Sequence, residues 1–293
     1  MKLYGQLIFL AVVNMFLSIS AFLGNTLILV ALHRESSLRP PFASKYLYRN
    51  LAITHLCVGI LVEPTYIAYL MSLMDKRFDI CHYSRVTCFF ITFVFCAVSF
   101  LTSSAITVDR LLVILLRLKY RHVATSFKGK VIIVVVLWIL GIFGASSYFW
   151  NRLSKAWLWE RALWVIFLAT SIISFMKIFF SLRRNQIHAQ NGVSQEQTSR
   201  IIPLYRVAWY RKSVCSAFWV QLTLVACYLP LTVVEALTPQ RGPVPISLYL
   251  ATEFAVTFVY LNSSLNPLLY SWKIPGVKQA VKIIIRQLLC SST

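Results

Sequence analysis

The sequence predicts an all-α fold: seven helices crossing a membrane as one bundle, followed by a short amphipathic helix. Three observations carry that prediction. The chain has 293 residues, of which 58% are hydrophobic and only 13% charged. That is about half the charge density of an ordinary soluble protein. The apolar residues fall into seven runs, each near the roughly 20 residues a helix needs to cross a hydrocarbon core. Finally, unpaired backbone is intolerable in lipid, so each run must be helical and the helices must pack together. The composition excludes a soluble enzyme, a disordered chain and a disulfide scaffold.

The first run, residues 7–32, is broken only by small polar residues. It is too long for the core of a cleaved leader and reads as a retained helix. The second, 46–73, carries His55 and Glu63, and the third, 85–116, runs uncharged from Arg85 to Asp109 and Arg110. The fourth and fifth are 131–150 and 162–182. The sixth, 213–238, contains Cys227-Tyr228-Leu229-Pro230, and the seventh, 245–272, contains Asn266-Pro267-Leu268-Leu269-Tyr270. Little chain remains for a soluble domain, so residues 1–293 read as a single seven-helix domain. No internal repeat is visible, which argues against a repeat-built transporter.

Pro275 suits the first turn of a helix. Val277, Val281, Ile284 and Leu288 follow at helical spacing, with Lys278, Lys282 and Arg286 on another face. Residues 275–289 therefore read as an amphipathic helix on the inner leaflet. Cys290 beyond it reads either as a site of reversible acylation or as a free tail thiol. Cys57, Cys96 and Cys227 fall within spans, where buried thiols are ordinary. Spacing leaves open whether Cys81 and Cys88 pair.

The chain carries 29 basic and 9 acidic residues. In a soluble protein such an excess would suggest nucleic acid; between membrane spans it reports topology instead. Alternate inter-span segments and the tail hold 18 of the basic residues, and the opposite set holds 8. Positive-inside bias then places the N-terminus outside and the C-terminus in the cytoplasm, with membrane lipids and no nucleic acid as expected partners.

Polar residues inside spans are costly, so they mark function or contacts between helices. Here they form an ordered set. Gly24-Asn25 lies in the first span and Asn50-Leu51-Ala52 in the second. Asp109-Arg110 ends the third, with Leu118 and Tyr120 following. Trp138 lies in the fourth, Pro230 in the sixth and Asn266-Pro267-x-x-Tyr270 in the seventh. With these motifs in this order over essentially the whole chain, the protein resembles the rhodopsin-like (class A) G-protein-coupled receptors. The resemblance implies an extracellular ligand, a heterotrimeric G protein as partner, residence in the plasma membrane, and neither enzyme activity nor a cofactor.

It also implies roles for particular residues. Arg110 pairs with Asp109 at rest and swings toward a partner when the helices part, with Leu118 and Tyr120 beside it; the plainer reading is an arginine reaching for the interface. Pro230 and Pro267 remove backbone hydrogen bonds and make kinks, and Tyr228, Asn266 and Tyr270 complete the switch. Asn25, Asn50, His55, Ser99, Asn262 and Ser263 form a polar core. In relatives an aspartate stands where this chain has His55 and gathers a sodium ion; with the carboxylate absent, no sodium modulation is expected. Tyr228 replaces the family's usual tryptophan. The usual bridge from the third helix is also missing, since Arg85 stands at the cysteine position and the loop from Asn151 to Arg161 has no cysteine. Together with a very short second outer loop, no proline in the fifth span and none before Leu118-Lys119-Tyr120, the missing bridge resembles the branch holding melanocortin, adenosine, cannabinoid and lysophospholipid receptors.

By position, the ligand pocket would use Thr92, Cys96, Leu231, Thr232 and Tyr260. Amine receptors of the family anchor their ligand on an aspartate where Thr92 stands, and opsins use a lysine where Tyr260 stands, so neither chemistry fits. Glu63, Glu235 and Glu253 could instead pair with a cationic group of a small molecule or short basic peptide. The plainer reading places Glu235 and Glu253 at the wet rim, pairing with Arg85 or Arg241. Only about six residues precede the first span, too few to capture a large hormone, and a lipid ligand fits as well. The histidines have no metal-ligand spacing, so no metal site is expected. A transporter or channel, or a receptor that binds without coupling, are the rival readings.

Overall fold

A computed structural model describes residues 2–34, 45–75, 78–116, 127–151, 204–238, 243–273 and 275–290, with residues 169, 172, 173, 176, 177 and 180 between them. The regular structure of these residues is helical. In chain order it comprises α1 (Lys2–Arg34), α2 (Lys45–Cys57), a π-turn (Val58–Val62), α3 (Glu63–Met74), α4 (Phe78–Leu116), α5 (Phe127–Asn151), α6 (Leu204–Leu237), α7 (Ile246–Lys273) and α8 (Pro275–Cys290). Among the described residues, four stretches are long and apolar enough to cross a membrane: α1, α2 with α3, α4, and the second half of α6. Val131–Ser146 of α5 is a shorter apolar helix. Most of the fifth expected span, and both Leu118 and Tyr120, lie outside the described residues.

Helix ends depart from the expected spans where charged residues end the apolar run. α4 begins at Phe78, before Asp79, His82 and Arg85, and α6 begins at Leu204, before Arg206, Arg211 and Lys212. Charge limits how far a helix can enter hydrocarbon, but it does not break the i to i−4 ladder beyond it. The second span is interrupted by a wider turn in which the Glu63 N–H donates to Val58 C=O, five residues back. Pro64 follows immediately and has no N–H to offer Ile60 C=O, so the ladder is already broken there.

The continuous α4 also answers the cysteine question. Cys81 and Cys88 both lie on it, seven residues apart, and both are free thiols. At about 1.5 Å of rise per residue their Cα atoms are separated by roughly 10 Å, beyond the reach of a disulfide.

One core cluster joins α1, α2, α4, α5, α6, α7 and α8 around Ile28, Leu51, Ile106 and Tyr270; a second lies toward the opposite end around Leu10, Val62, Tyr66 and Tyr260. A third, smaller one joins Cys96 and Phe100 to Tyr228 and Val259. Val277, Val281 and Ile284 of α8 belong to the first cluster. The apolar stripe of this helix therefore packs on the bundle rather than facing lipid along its length. Arg34 of α1 donates to Gln287 and ties the helix down. Lys278, Lys282 and Arg286 are exposed beside Ile283 and Ile285, and these side chains remain available to a leaflet.

Helices approach closely where glycines stand. A Cβ on Gly24 would lie 2.9 Å from both Cβ and Cγ of Pro267, and one on Gly141 would lie 2.6 Å from a Val98 methyl. Asn50 pins three helices together: its Nδ2 donates to Thr102 Oγ1 at 2.9 Å, and its Oδ1 accepts from Trp138 Nε1 at 2.9 Å.

Candidate functional site

The residues singled out in the sequence fall into three zones along the bundle, beginning with a polar core at mid-depth. The His55 ring is buried between α2, α4 and α7. Its Nδ1 lies 2.9 Å from Ser263 Oγ, and its Nε2 lies 2.6 Å from Asn266 Nδ2 and 3.4 Å from Ser99 Oγ. The Asn266 amide can only donate, so Nε2 accepts and Nδ1 is left to donate to Ser263, the pattern of a neutral imidazole. Asn25 joins from α1, donating to Ser263 C=O at 3.1 Å and to Ala21 C=O at 2.8 Å. Asn262 and Asn266 are buried, and the Oδ1 of each lacks a partner among the described residues. Five of the six expected core residues thus meet through His55 and Ser263 or stand beside them in sequence, while Asn50 belongs to the neighbouring α2–α4–α5 junction.

The second zone lies toward the α8 end. Gln221 of α6 sits 3.5 Å from the Thr107 hydroxyl of α4, holding these helices together two residues before Asp109. Asp109 is partly buried, and Arg110 follows it on the helix. Tyr270 is buried edge-on against Tyr48, with ring centroids 5.4 Å apart. Pro230 and Pro267 both lie inside continuous helices, in α6 and α7. Tyr228 is buried 6.2 Å from the Phe100 ring and packs in one cluster with Cys96.

The third zone lies at the opposite end, where α3 and α4 face α7. Thr92 and Tyr260 share a hydroxyl hydrogen bond of 2.9 Å, and Cys88 Sγ lies 3.9 Å from the same tyrosine oxygen. Tyr260 stacks edge-on against Tyr66 at 5.2 Å. Glu253 is buried, only 3% exposed, where the plainer reading of the sequence put it at a wet rim. Its carboxylate accepts from Tyr66 at 2.7 Å and from Tyr69 at 3.4 Å, and the Tyr69 hydroxyl meets that of Tyr249 at 2.8 Å. Glu63 is buried completely, and neither of its oxygens has a hydrogen-bond partner among the described residues. Glu235, by contrast, is exposed in the last turns of α6. Leu231 packs against both neighbouring clusters, and the Thr232 hydroxyl bonds back within its own helix, donating to Leu229 C=O at 2.8 Å.

Sequence reasoning missed Tyr66, Tyr69 and Tyr249, which enclose Glu253. It also missed Asn14, which donates to Thr257 Oγ1 at 3.0 Å and links α1 to α7. The available signal was the spacing of Glu63, Tyr66 and Tyr69, three residues apart on one helical face. Tyrosine extends an apolar run as its ring does, so its hydroxyl leaves no mark on the pattern of the span.

Among the described residues, no group of three or more His, Cys, Asp and Glu side chains could hold a metal ion. Comparison with known proteins adds a family-wide match. Residues 24–270 fit the profile of the 7 transmembrane receptor (rhodopsin family). The chain is similar to adenosine receptor A3 of Canis lupus familiaris, at 24% identity over 96% of this chain and 92% of that receptor. It is also similar to trace amine-associated receptor 6 of Homo sapiens, at 26% identity over 96% of this chain and 86% of that one. Trace amine-associated receptor 8c of Rattus norvegicus aligns at 25% identity over 96% of this chain and 87% of that one.

Proposed function

Because the chain belongs to the rhodopsin family of seven-transmembrane receptors, we propose that Arg110 is its G-protein switch and that ligand binds at the end of the bundle away from α8. As a family member it is a multi-pass membrane protein of the G-protein-coupled receptor class, with an extracellular ligand and a heterotrimeric G protein as partners, and it is not an enzyme. Adenosine and trace amine-associated receptors align at similar identities. The relatives therefore support a small-molecule ligand without selecting one branch of the family.

The observation that carries the switch assignment is the arrangement beside Asp109-Arg110. The Thr107–Gln221 contact closes α4 on α6 at that depth, and the proline of α6 lies nine residues beyond Gln221. A helix hinged at Pro230 can move its Gln221 half away from α4 and open a cleft beside Arg110. Asp109, Leu118, Tyr120, Tyr228, Asn266, Pro267 and Tyr270 serve the same switch. Thr92, Cys96, Leu231, Thr232 and Tyr260 line the ligand side, with Glu63, Glu235 and Glu253 as its acidic groups. Cys290 is the candidate acylation site.

The test is nucleotide exchange on a heterotrimeric G protein by receptor reconstituted in vesicles. Exchange above that of empty vesicles is expected for the wild type, and its loss for Arg110→Ala at equal receptor content. Ion flux without exchange under any ligand would overturn the assignment. The basic-residue bias further supports an extracellular N-terminus. An epitope placed before Lys2 should stain intact cells without permeabilisation, whereas one after Thr293 should not; the reverse pattern would overturn that orientation.

A further inference from the structure

Toward the α8 end of the bundle, α6 is held on two sides. Gln221 meets Thr107 of α4 on one of them. Two residues earlier, and so about 200° around the helix axis, Trp219 lies against Trp272 of α7. Their ring centroids are 6.1 Å apart and their planes are inclined at 45°. Val220 between them is buried in the first core cluster with Ile106 of α4 and Tyr270 of α7. At this depth α6 is wedged between α4 and Trp272.

The tryptophan pair is a direct contact between rings rather than a shared burial. Trp219 is half-buried, and Trp272 is 61% exposed in the last turn of α7. A tryptophan at the end of a span ordinarily anchors its helix at the lipid headgroups, and it needs no second ring to do so. Here the two rings stand within the roughly 4.5–7 Å over which aromatic pairs attract. Lipid gives two helices no hydrophobic reason to associate, so direct contacts of this kind hold them together.

The two rings sit on unequal supports. The end of α7 that carries Trp272 is held by its neighbours: Tyr270 is buried edge-on against Tyr48, and the adjoining α8 seats Val277, Val281 and Ile284 in the same cluster. Trp219 stands on the long arm of α6, eleven residues before Pro230, a run of roughly 16 Å at the rise of an α-helix. A pivot at that proline displaces the arm most at its far end. Movement away from α4 carries the Trp219 side of α6 against Trp272, so the cleft beside Arg110 opens only if the two rings slide apart.

We propose that Trp272 is a positioning residue for G-protein coupling, a stop that acts through Trp219 to keep α6 closed on α4 and so sets the ligand-free rate of exchange. This role rests on the reading of Arg110 as the switch and Pro230 as its hinge. Gln221 alone is a weak latch. Its contact with Thr107 is long at 3.5 Å, and its Nε2 has no hydrogen-bond partner among the described residues. One aromatic pair shifts an equilibrium about two- to tenfold, a large share of what holds such an arm.

The test has two readouts on the full-length receptor. The first needs no G protein: fluorine nuclear magnetic resonance of fluorotryptophan-labelled receptor in nanodiscs. Trp272→Leu should shift the Trp219 resonance, and Trp219→Leu that of Trp272, with the Trp138 resonance of α5 unmoved. A Trp272 that only anchors at the headgroups leaves Trp219 where it was, which would overturn the proposal. The second readout is ligand-free nucleotide exchange per receptor in vesicles. Trp272→Leu and Trp219→Leu should each raise it about two- to tenfold, and the double variant no further than the larger single. Trp272→Phe keeps a ring and should fall between wild type and Trp272→Leu. If Trp272→Leu does not fold, Trp219→Leu carries both comparisons. Additive effects, or exchange unchanged or lowered in both leucine variants, would overturn the role of Trp272 while leaving the loss of exchange in Arg110→Ala standing. Exchange absent from every receptor, wild type included, would instead sink the switch reading and this role with it.

Discussion

His55→Leu is expected to lower the stability of the receptor by about 2–4 kcal/mol, the larger part of it from three polar groups left without a partner. Ser263 Oγ, Asn266 Nδ2 and Ser99 Oγ all converge on this one ring. Leucine fills much of the volume and can bond none of them. In water each abandoned group would cost about 1–3 kcal/mol. In a membrane bundle the average is nearer 0.6 kcal/mol, because the unfolded helices also find partners. The measurement is thermal unfolding read by a thiol-reactive dye, for which the buried Cys88, Cys96 and Cys227 are the reporters. His55→Asp is the informative companion. Its carboxylate can accept from the same amide and hydroxyls, so much of the lost stability should return. It also supplies the negative charge that, by family resemblance, gathers sodium at this place. Exchanging sodium for N-methylglucamine should leave the wild-type unfolding temperature unmoved and lower that of His55→Asp. A wild-type protein stabilised by sodium, or a leucine variant as stable as the parent, would show that His55 is not the hub of this core.

What could be read from the sequence follows a physical division. Spans were legible because hydrocarbon thickness dictates the length of an apolar run, whatever the neighbours do. The polar core was legible for a related reason: Asn25, His55, Ser99 and Asn266 stand out because nothing else in an apolar helix needs a partner. Helix ends were not legible. The ladder of α4 runs out past Arg85, His82 and Asp79, since water tolerates a charged helix that lipid does not. The π-turn was hidden too, although Pro64 marked where the hydrogen-bond ladder had to fail. The setting of Glu253 was least legible of all. This acid lies more than 180 residues from Tyr66 and Tyr69 in sequence, and only the apposition of α3 and α7 brings them together. Nothing in the local pattern of Ile246–Lys273 distinguishes a buried Glu253 from one at a wet rim, because the burial comes from α3.

Glycine substitutions should divide by sign according to the space each would enter. In a helix, Gly→Ala gains roughly 0.5–1 kcal/mol, because alanine loses less backbone freedom on folding. That gain should appear at Gly5, where an added Cβ meets nothing within 4 Å, and at Gly144, whose nearest neighbour lies at an ordinary 3.7 Å. At Gly24 the added atom would stand 2.9 Å from two atoms of the Pro267 ring. A pyrrolidine cannot rotate aside, and it occupies the point where α7 already lacks a backbone bond, so α1 and α7 must separate. At Gly59 it would meet the Ser18 C=O at 3.0 Å and the Phe22 N at 3.1 Å, both backbone atoms of α1 with no freedom to yield. Gly141 faces a methyl of Val98 at 2.6 Å, on a β-branched and fully buried side chain with a stiff χ1. Overpacking of this kind costs about 1–3 kcal/mol with alanine and more with valine, outweighing the entropic gain. Gly24→Ala, Gly59→Ala and Gly141→Ala should therefore unfold at lower temperature than the parent, and Gly24→Val and Gly59→Val should fail to reach the cell surface in normal amounts. Gly5→Ala and Gly144→Ala should match or exceed the parent in both measurements. If all five alanine variants moved together in either direction, the close approaches of α1 to α7, α1 to the π-turn and α4 to α5 would not be what sets the stability of the bundle.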